Sequence, residues 1–175
     1  MRRLVLTLLL LAVPAPDAHA TLTLTPPAFG DFAPVQIDAA GPVITTAPVS
    51  NWSVNATGQL LGWHVDLAAT QFATTGGAVL PLNSMTYRGP RVTAGSGQLI
   101  GAFPSVLVDN LTTVTLDRSA NGAQSVSIIN AAPGLGQGIW NMAQGTTDLR
   151  LTVPPNVLAG SYTSTITVTL SPGSL

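Results

Sequence analysis

The sequence predicts an all-β fold, a single-domain antiparallel β-sandwich of the immunoglobulin-like or jelly-roll-like kind. Three observations carry that prediction. Short runs of alternating apolar and polar residues recur along the chain, and helix signals hardly appear. Gly and Pro are frequent between those runs (17 and 14 of 175 residues), as in chains that turn often between short strands. The chain has no cysteine, so burial alone, without disulfides, must hold such a fold.

Taken in order, residues 1–20 read as an export signal. Met1-Arg2-Arg3 is a positive start, residues 4–13 are an apolar run too short to span a bilayer, and Ala18-His19-Ala20 is a small-residue cleavage site. Residues 21–175 are then expected as one secreted domain of about 155 residues, enough to bury a sizeable core. No later apolar stretch approaches membrane-spanning length, so no span is expected after signal cleavage.

Residues 21–25 alternate Thr and Leu up to Pro26-Pro27, and residues 35–38 alternate again. Residues 49–54, with Trp52, are expected to pair with residues 61–67 across the intervening turn. In the second of these runs Trp63, Val65 and Leu67 fall on one face and His64 and Asp66 on the other. Gly62 just before it allows another backbone to come close. A longer strand is expected over residues 78–87. Shorter ones follow at 106–108, 112–116 and 125–129, with Asn121-Gly122 as a hairpin signal between the last two. Residues 149–153 end at Pro154-Pro155. In the final run Tyr162, Ser164, Ile166, Val168 and Leu170 face one way, and Thr163, Thr165, Thr167 and Thr169 the other.

Charge excludes several function classes. Beyond the leader the chain carries Arg88, Arg91, Arg118 and Arg150 against Asp31, Asp38, Asp66, Asp109, Asp117 and Asp148, with no lysine and no glutamate. No basic patch is available to neutralise phosphates, so nucleic acid is not an expected partner, and docking on anionic lipid is equally unsupported. The remaining surface is uncharged but rich in hydrogen-bonding side chains, which suits contact with carbohydrate or with another sheet edge.

The catalytic inventory is thin, and no enzyme activity is expected. His64 and Asp66 share a strand face, as a base with its orienting carboxylate or two metal ligands would. A solvated polar face accounts for them as well, and no G-x-S-x-G nucleophile elbow accompanies them. Ser96, in Ala94-Gly95-Ser96-Gly97, reads as a flexible loop. With one imidazole beyond the leader and no thiolate, neither a metal site nor a cofactor is expected. Asp109-Asn110 and Asp117-Arg118 read as turn residues, and no calcium-loop pattern occurs. Gly134-Leu135-Gly136-Gln137-Gly138 lacks the Lys-Ser/Thr of a phosphate loop and reads as a mobile or bulged loop.

The aromatics remain: Trp52, Trp63, Trp140, Phe29, Phe32, Phe72, Phe103, Tyr87 and Tyr162. Such residues either stack on sugar rings or fill the space between sheets. Trp63 and Phe72 read as core. Trp140, in its glycine-rich stretch, leaves partial exposure and a contact role open.

The ordered set of motifs resembles the WxL domain family. Residues 48–58, then Gly62-Trp63-His64-Val65, then Phe72 resemble its first half. Residues 131–140, Leu151-Thr152-Val153-Pro154, and the run from Tyr162 to Leu170 resemble its second. Three positions depart from the pattern: Val65 stands for Leu in the first W-x-L, Val168 for Trp in the second, and Asn55 for an aspartate. The resemblance implies a secreted, non-catalytic protein of the bacterial cell surface or cell wall, bound non-covalently to peptidoglycan or another cell-wall glycan and accompanied by other surface proteins. It singles out Gly62, Trp63, Val65, Phe72, Trp140, Tyr162, Val168 and Leu170, as structural or wall-contacting residues. The exposed Thr ladder of the last strand suggests the alternative, a structural or fibre subunit of pilin-like type that assembles by edge-strand pairing.

Overall fold

The computed structural model describes residues 20–37, 40–97 and 103–175. The export signal expected before residue 20 lies outside the described residues, apart from its last position. Among the described residues every regular element is a strand: β1 (Thr23–Thr25), β2 (Val43–Ala47), β3 (Trp52–Asn55), β4 (Trp63–Ala69), β5 (Met85–Arg88), β6 (Arg91–Ala94), β7 (Ser105–Val106), β8 (Thr113–Thr115), β9 (Val126–Ala131), β10 (Ile139–Ala143), β11 (Leu149–Val153) and β12 (Ile166–Pro172). They form three four-stranded sheets in the orders β1-β3-β10-β6, β2-β11-β5-β8 and β12-β4-β9-β7. All pairings are antiparallel. The sheets pack in a sandwich-like arrangement on one core that includes Trp52, Trp63, Tyr87, Ile128, Trp140 and Leu149.

Two-residue alternation is realised where it was clearest. Trp63, Val65 and Leu67 of β4 are buried while His64 and Asp66 are half-exposed, and Leu149, Leu151 and Val153 of β11 are buried on either side of exposed Arg150. Along β12, Ile166, Val168 and Leu170 are half-buried and Thr167 and Thr169 exposed.

The pairing expected for the first tryptophan-bearing strands is corrected. β3 does not pair with β4 but lies between β1 and β10, in a different sheet. The Asn55 carboxamide accepts from Thr57 N–H at 3.1 Å and ends β3 in an Asx turn. Gly58 and Gly62 then take positive φ, and the chain crosses to the third sheet instead of folding back. Asn121-Gly122 likewise makes a turn, with Gly122 N–H on Ser119 O at 3.2 Å, but not a hairpin. It carries the chain from β8, paired with β5, to β9, paired with β4 and β7.

The strand expected over 78–87 shortens to β5, because Pro81 and the left-handed Asn83 (φ 65°) bend the chain just before it. Residues 35–37 form no strand, and Asp38 lies outside the described residues. Residues 162–165 precede β12, with Thr163 held in an isolated bridge to Ala73. β2, β6 and β10 were not anticipated: β6 buries no side chain, and β10 follows a glycine-rich run that reads as loop.

Without disulfides, buried hydrogen bonds tie the sheets together. Gln144 follows β10, and its carboxamide oxygen accepts from Trp52 Nε1 of β3 at 3.1 Å and from the Tyr87 hydroxyl of β5. Its nitrogen donates to Asp148 Oδ2 at 3.1 Å, just before β11. The first and second sheets therefore meet on one amide. Burial pushes the Tyr87 hydroxyl pKa up, which keeps it a neutral donor.

Asp117, which reads as a turn residue, is fully buried, and its carboxylate accepts from Ser84 N–H and Met85 N–H at 3.0 Å each. It thereby caps the entry to β5. Desolvation outweighs those two donors and raises its pKa above the usual 3.8. A raised native value means that the folded state holds the proton more tightly than the unfolded chain. The contribution is therefore full below the unfolded value and lost as pH rises through the native one. Asp117→Asn should abolish that component of the pH dependence. Its amide can accept only one of the two N–H groups well, at a cost of about 1–3 kcal/mol in urea denaturation.

Candidate functional site

The family-like residues converge on a glycine carbonyl. Trp63 opens β4 and Trp140 lies on β10, and neither exposes any surface. Both indole N–H groups donate to the carbonyl oxygen of Gly136, each at 2.8 Å. That satisfies two buried donors from two different sheets with one acceptor. The loop around Gly136 can do this because Gly134, Gly136 and Gly138 all take positive φ. At Gly136 a Cβ would lie 2.5 Å from Ala131 Cβ and 2.9 Å from Trp63 Nε1. Gly62 is as constrained, since a Cβ there would lie 2.2 Å from Ala131 O. The close backbone approach expected at Gly62 is thus realised, and the glycine-rich run is a bulged, packed support for the tryptophans. The exposure left open for Trp140 is not found. Phe103 covers it, with ring centroids 4.9 Å apart.

The remaining motif residues share a sheet. β12 runs antiparallel beside β4, with Leu170 opposite Val65 and Val168 opposite Leu67. The two W-x-L-like segments are therefore neighbouring strands, and Val168 occupies the second tryptophan position on the half-buried face. Val65 and Phe72 are buried, and Tyr162 is half-buried.

His64 and Asp66 do come together on the outer face of β4, Nε2 to Oδ2 at 3.5 Å. His64 Nδ1 lies 2.8 Å from Gly173 O, and a carbonyl only accepts, so Nδ1 carries the hydrogen. The Ser127 hydroxyl donates to Asp66 Oδ1 at 2.5 Å. The Ser127 hydroxyl therefore faces the carboxylate, and the histidine sits between that carboxylate through Nε2 and a main-chain carbonyl through Nδ1. The cluster pins the end of β12 to β4. Among the described residues no group of three or more His, Cys, Asp or Glu gathers to hold a metal ion, and no helix is long and apolar enough to cross a membrane.

An opening that combines aromatic rings with polar groups lies elsewhere, in a groove between residues 29–37 and 157–166. One hollow, of about 580 Å³, is walled by Phe29, Asp31 and Phe32 on one side and by Ser161, Tyr162, Thr163 and Ser164 on the other. Its floor is apolar, with Phe72 beneath Phe32 in an edge-to-face contact at 5.9 Å. A second hollow, of about 550 Å³, shares Phe32, Leu151, Ser161 and Tyr162 with the first, so the two form one elongated groove. Tyr162 donates its hydroxyl to Leu158 O at 2.8 Å, which fixes the ring at the junction.

A family model described as "WxL domain surface cell wall-binding" matches residues 54–173, more than half of the chain. The chain belongs to the WxL family. It is thus a domain of a cell-surface, cell-wall-binding class, which places it at the cell surface in association with the wall. No curated protein and no solved structure matches it.

Within this WxL domain the matched segment contains Trp63, Trp140, Gly136 and the β4–β12 pair. Residues 29–37, which build one wall of the groove, lie outside it. Phe29 and Phe32 are visible in the sequence as aromatics, yet no pattern there marks them as partners of Tyr162. The long-range bridge between Ala73 and Thr163 and the Gly30 N–H to Pro48 O bond (2.9 Å) bring the two walls into place.

Proposed function

We propose that residues 21–175 form one mature, non-catalytic WxL domain that attaches non-covalently to the cell wall, with a peptidoglycan or other wall-glycan strand as its ligand. The observation that carries this reading is the elongated groove, which sets the rings of Phe29, Phe32 and Tyr162 beside Asp31 and the hydroxyls of Ser161, Thr163 and Ser164. Sugar rings offer apolar C–H faces to aromatic rings and equatorial hydroxyls to carboxylates and hydroxyls, so such a lining suits them. An open, two-hollow groove also suits a polymer better than a closed pocket does. The engagement of the Ser127 hydroxyl by Asp66, and of His64 by Asp66 and Gly173 O, supports a binding role without chemistry.

The test is sedimentation of the purified protein with insoluble peptidoglycan. Retention in the pellet is expected, and it should persist in high salt because, among the described residues, the groove walls hold one charged side chain, Asp31. Recovery in the supernatant at all salt concentrations would contradict the proposal.

A further inference from the structure

Among the described residues β12 is the edge strand of its sheet, paired with β4 on one side only. Its backbone phase is set by its two ends. Thr70 N–H donates to Thr165 O, and Gly173 N–H to Gly62 O, at 3.0 and 2.9 Å. The register between them is unbroken. In an antiparallel ladder successive residues turn their N–H and C=O to opposite sides. The odd-numbered residues thus face β4, and Ile166, Val168 and Leu170 turn theirs outward from the sheet.

Nothing in this edge blunts it. The strand carries no charge, no bulge against β4 and no proline before Pro172, where natural edges use such devices to prevent pairing. Its side chains are also symmetric about Val168. Thr167 and Thr169 flank it, then Ile166 and Leu170, then Thr165 and Ser171.

We propose that β12 is a homodimer interface, pairing antiparallel with β12 of a second copy about a two-fold axis through Val168. In that register Val168 meets its own copy and Ile166 meets Leu170, so the outward N–H and C=O groups of all three are paired. The half-buried apolar face gains an apolar neighbour, and Thr167 lies opposite Thr169. The contact uses the same patch on both copies and therefore closes. The other edge of the sheet is β7, two residues long and too short to extend it. The product is a dimer with one continuous eight-strand sheet (four strands from each copy), not a fibre. The groove meets this edge at Ile166 alone, and the proposal does not rest on the wall-binding one.

A charge-swap pair tests both the interface and its register. Sedimentation velocity of the exported protein at about 100 µM should show twice the monomer mass. Thr167 and Thr169 are exposed, so substitution there leaves the fold intact, as the buried-tryptophan fluorescence should confirm. Thr167→Lys with Thr169→Lys sets like charges opposite each other on both sides of the axis and should weaken the dimer at least about tenfold. Thr167→Lys with Thr169→Glu sets opposite charges there and should keep it. A monomeric wild-type protein at that concentration would overturn the proposal. So would equal behaviour of the two double variants.

Discussion

Gly136→Ala is expected to cost the domain about 3–5 kcal/mol, enough to leave much of it unfolded at room temperature if it has ordinary stability. Three effects add at this residue. Its φ of 65° is a conformation that costs an L side chain roughly 1–2 kcal/mol. The added methyl would be forced to within 2.5 Å of Ala131 Cβ and 2.9 Å of Trp63 Nε1. Any shift that relieves the clash also moves the carbonyl on which both indoles depend, and a buried N–H left unpaired costs about 1–3 kcal/mol. Gly134→Ala is the control. That residue has a similar φ of 79° but nothing within 4 Å of its Cβ position, so roughly 1–2 kcal/mol is expected. Urea denaturation followed by tryptophan fluorescence separates the two.

The second large effect is expected in the groove. Phe29→Ala combined with Tyr162→Ala should reduce retention on insoluble peptidoglycan by about 30- to 150-fold, the loss of two aromatic contacts at roughly 1–1.5 kcal/mol each. Both rings are half-buried at the rim, and neither donates to the Gly136 carbonyl. The folded baseline and the tryptophan emission should therefore remain native. Trp140→Phe has the opposite signature. It removes one of the two indole donors and should lower stability by about 1 kcal/mol while retention is unchanged.

What the sequence discloses follows from which interactions are local. β4, β11 and β12 are legible because side-chain alternation along one strand suffices to reveal them, and Trp63 reads as core for the same reason. Partner choice is not local. β3 and β4 are near in sequence and flanked by turn residues, yet Asn55, Gly58 and Gly62 send the chain to another sheet. The Asn121-Gly122 turn misleads in the same way, since a turn fixes a change of direction but not the strand that receives it. Asp117 reads as a turn residue because the two N–H groups it accepts from lie 32 and 33 residues away. The groove was the least visible feature. Phe29 and Phe32 sit in a segment with almost no regular structure, and their relation to Tyr162 exists only once the walls are folded together.

The central claim is that the motif tryptophans belong to the interior and that the wall is held by the groove. The most direct measurement is a heteronuclear NMR titration of the ¹⁵N-labelled protein with soluble peptidoglycan fragments. Shift changes should cluster in residues 29–32 and 161–166, with the Trp63 and Trp140 indole N–H signals unmoved. Changes centred on those two indoles, with the groove silent, would contradict the account.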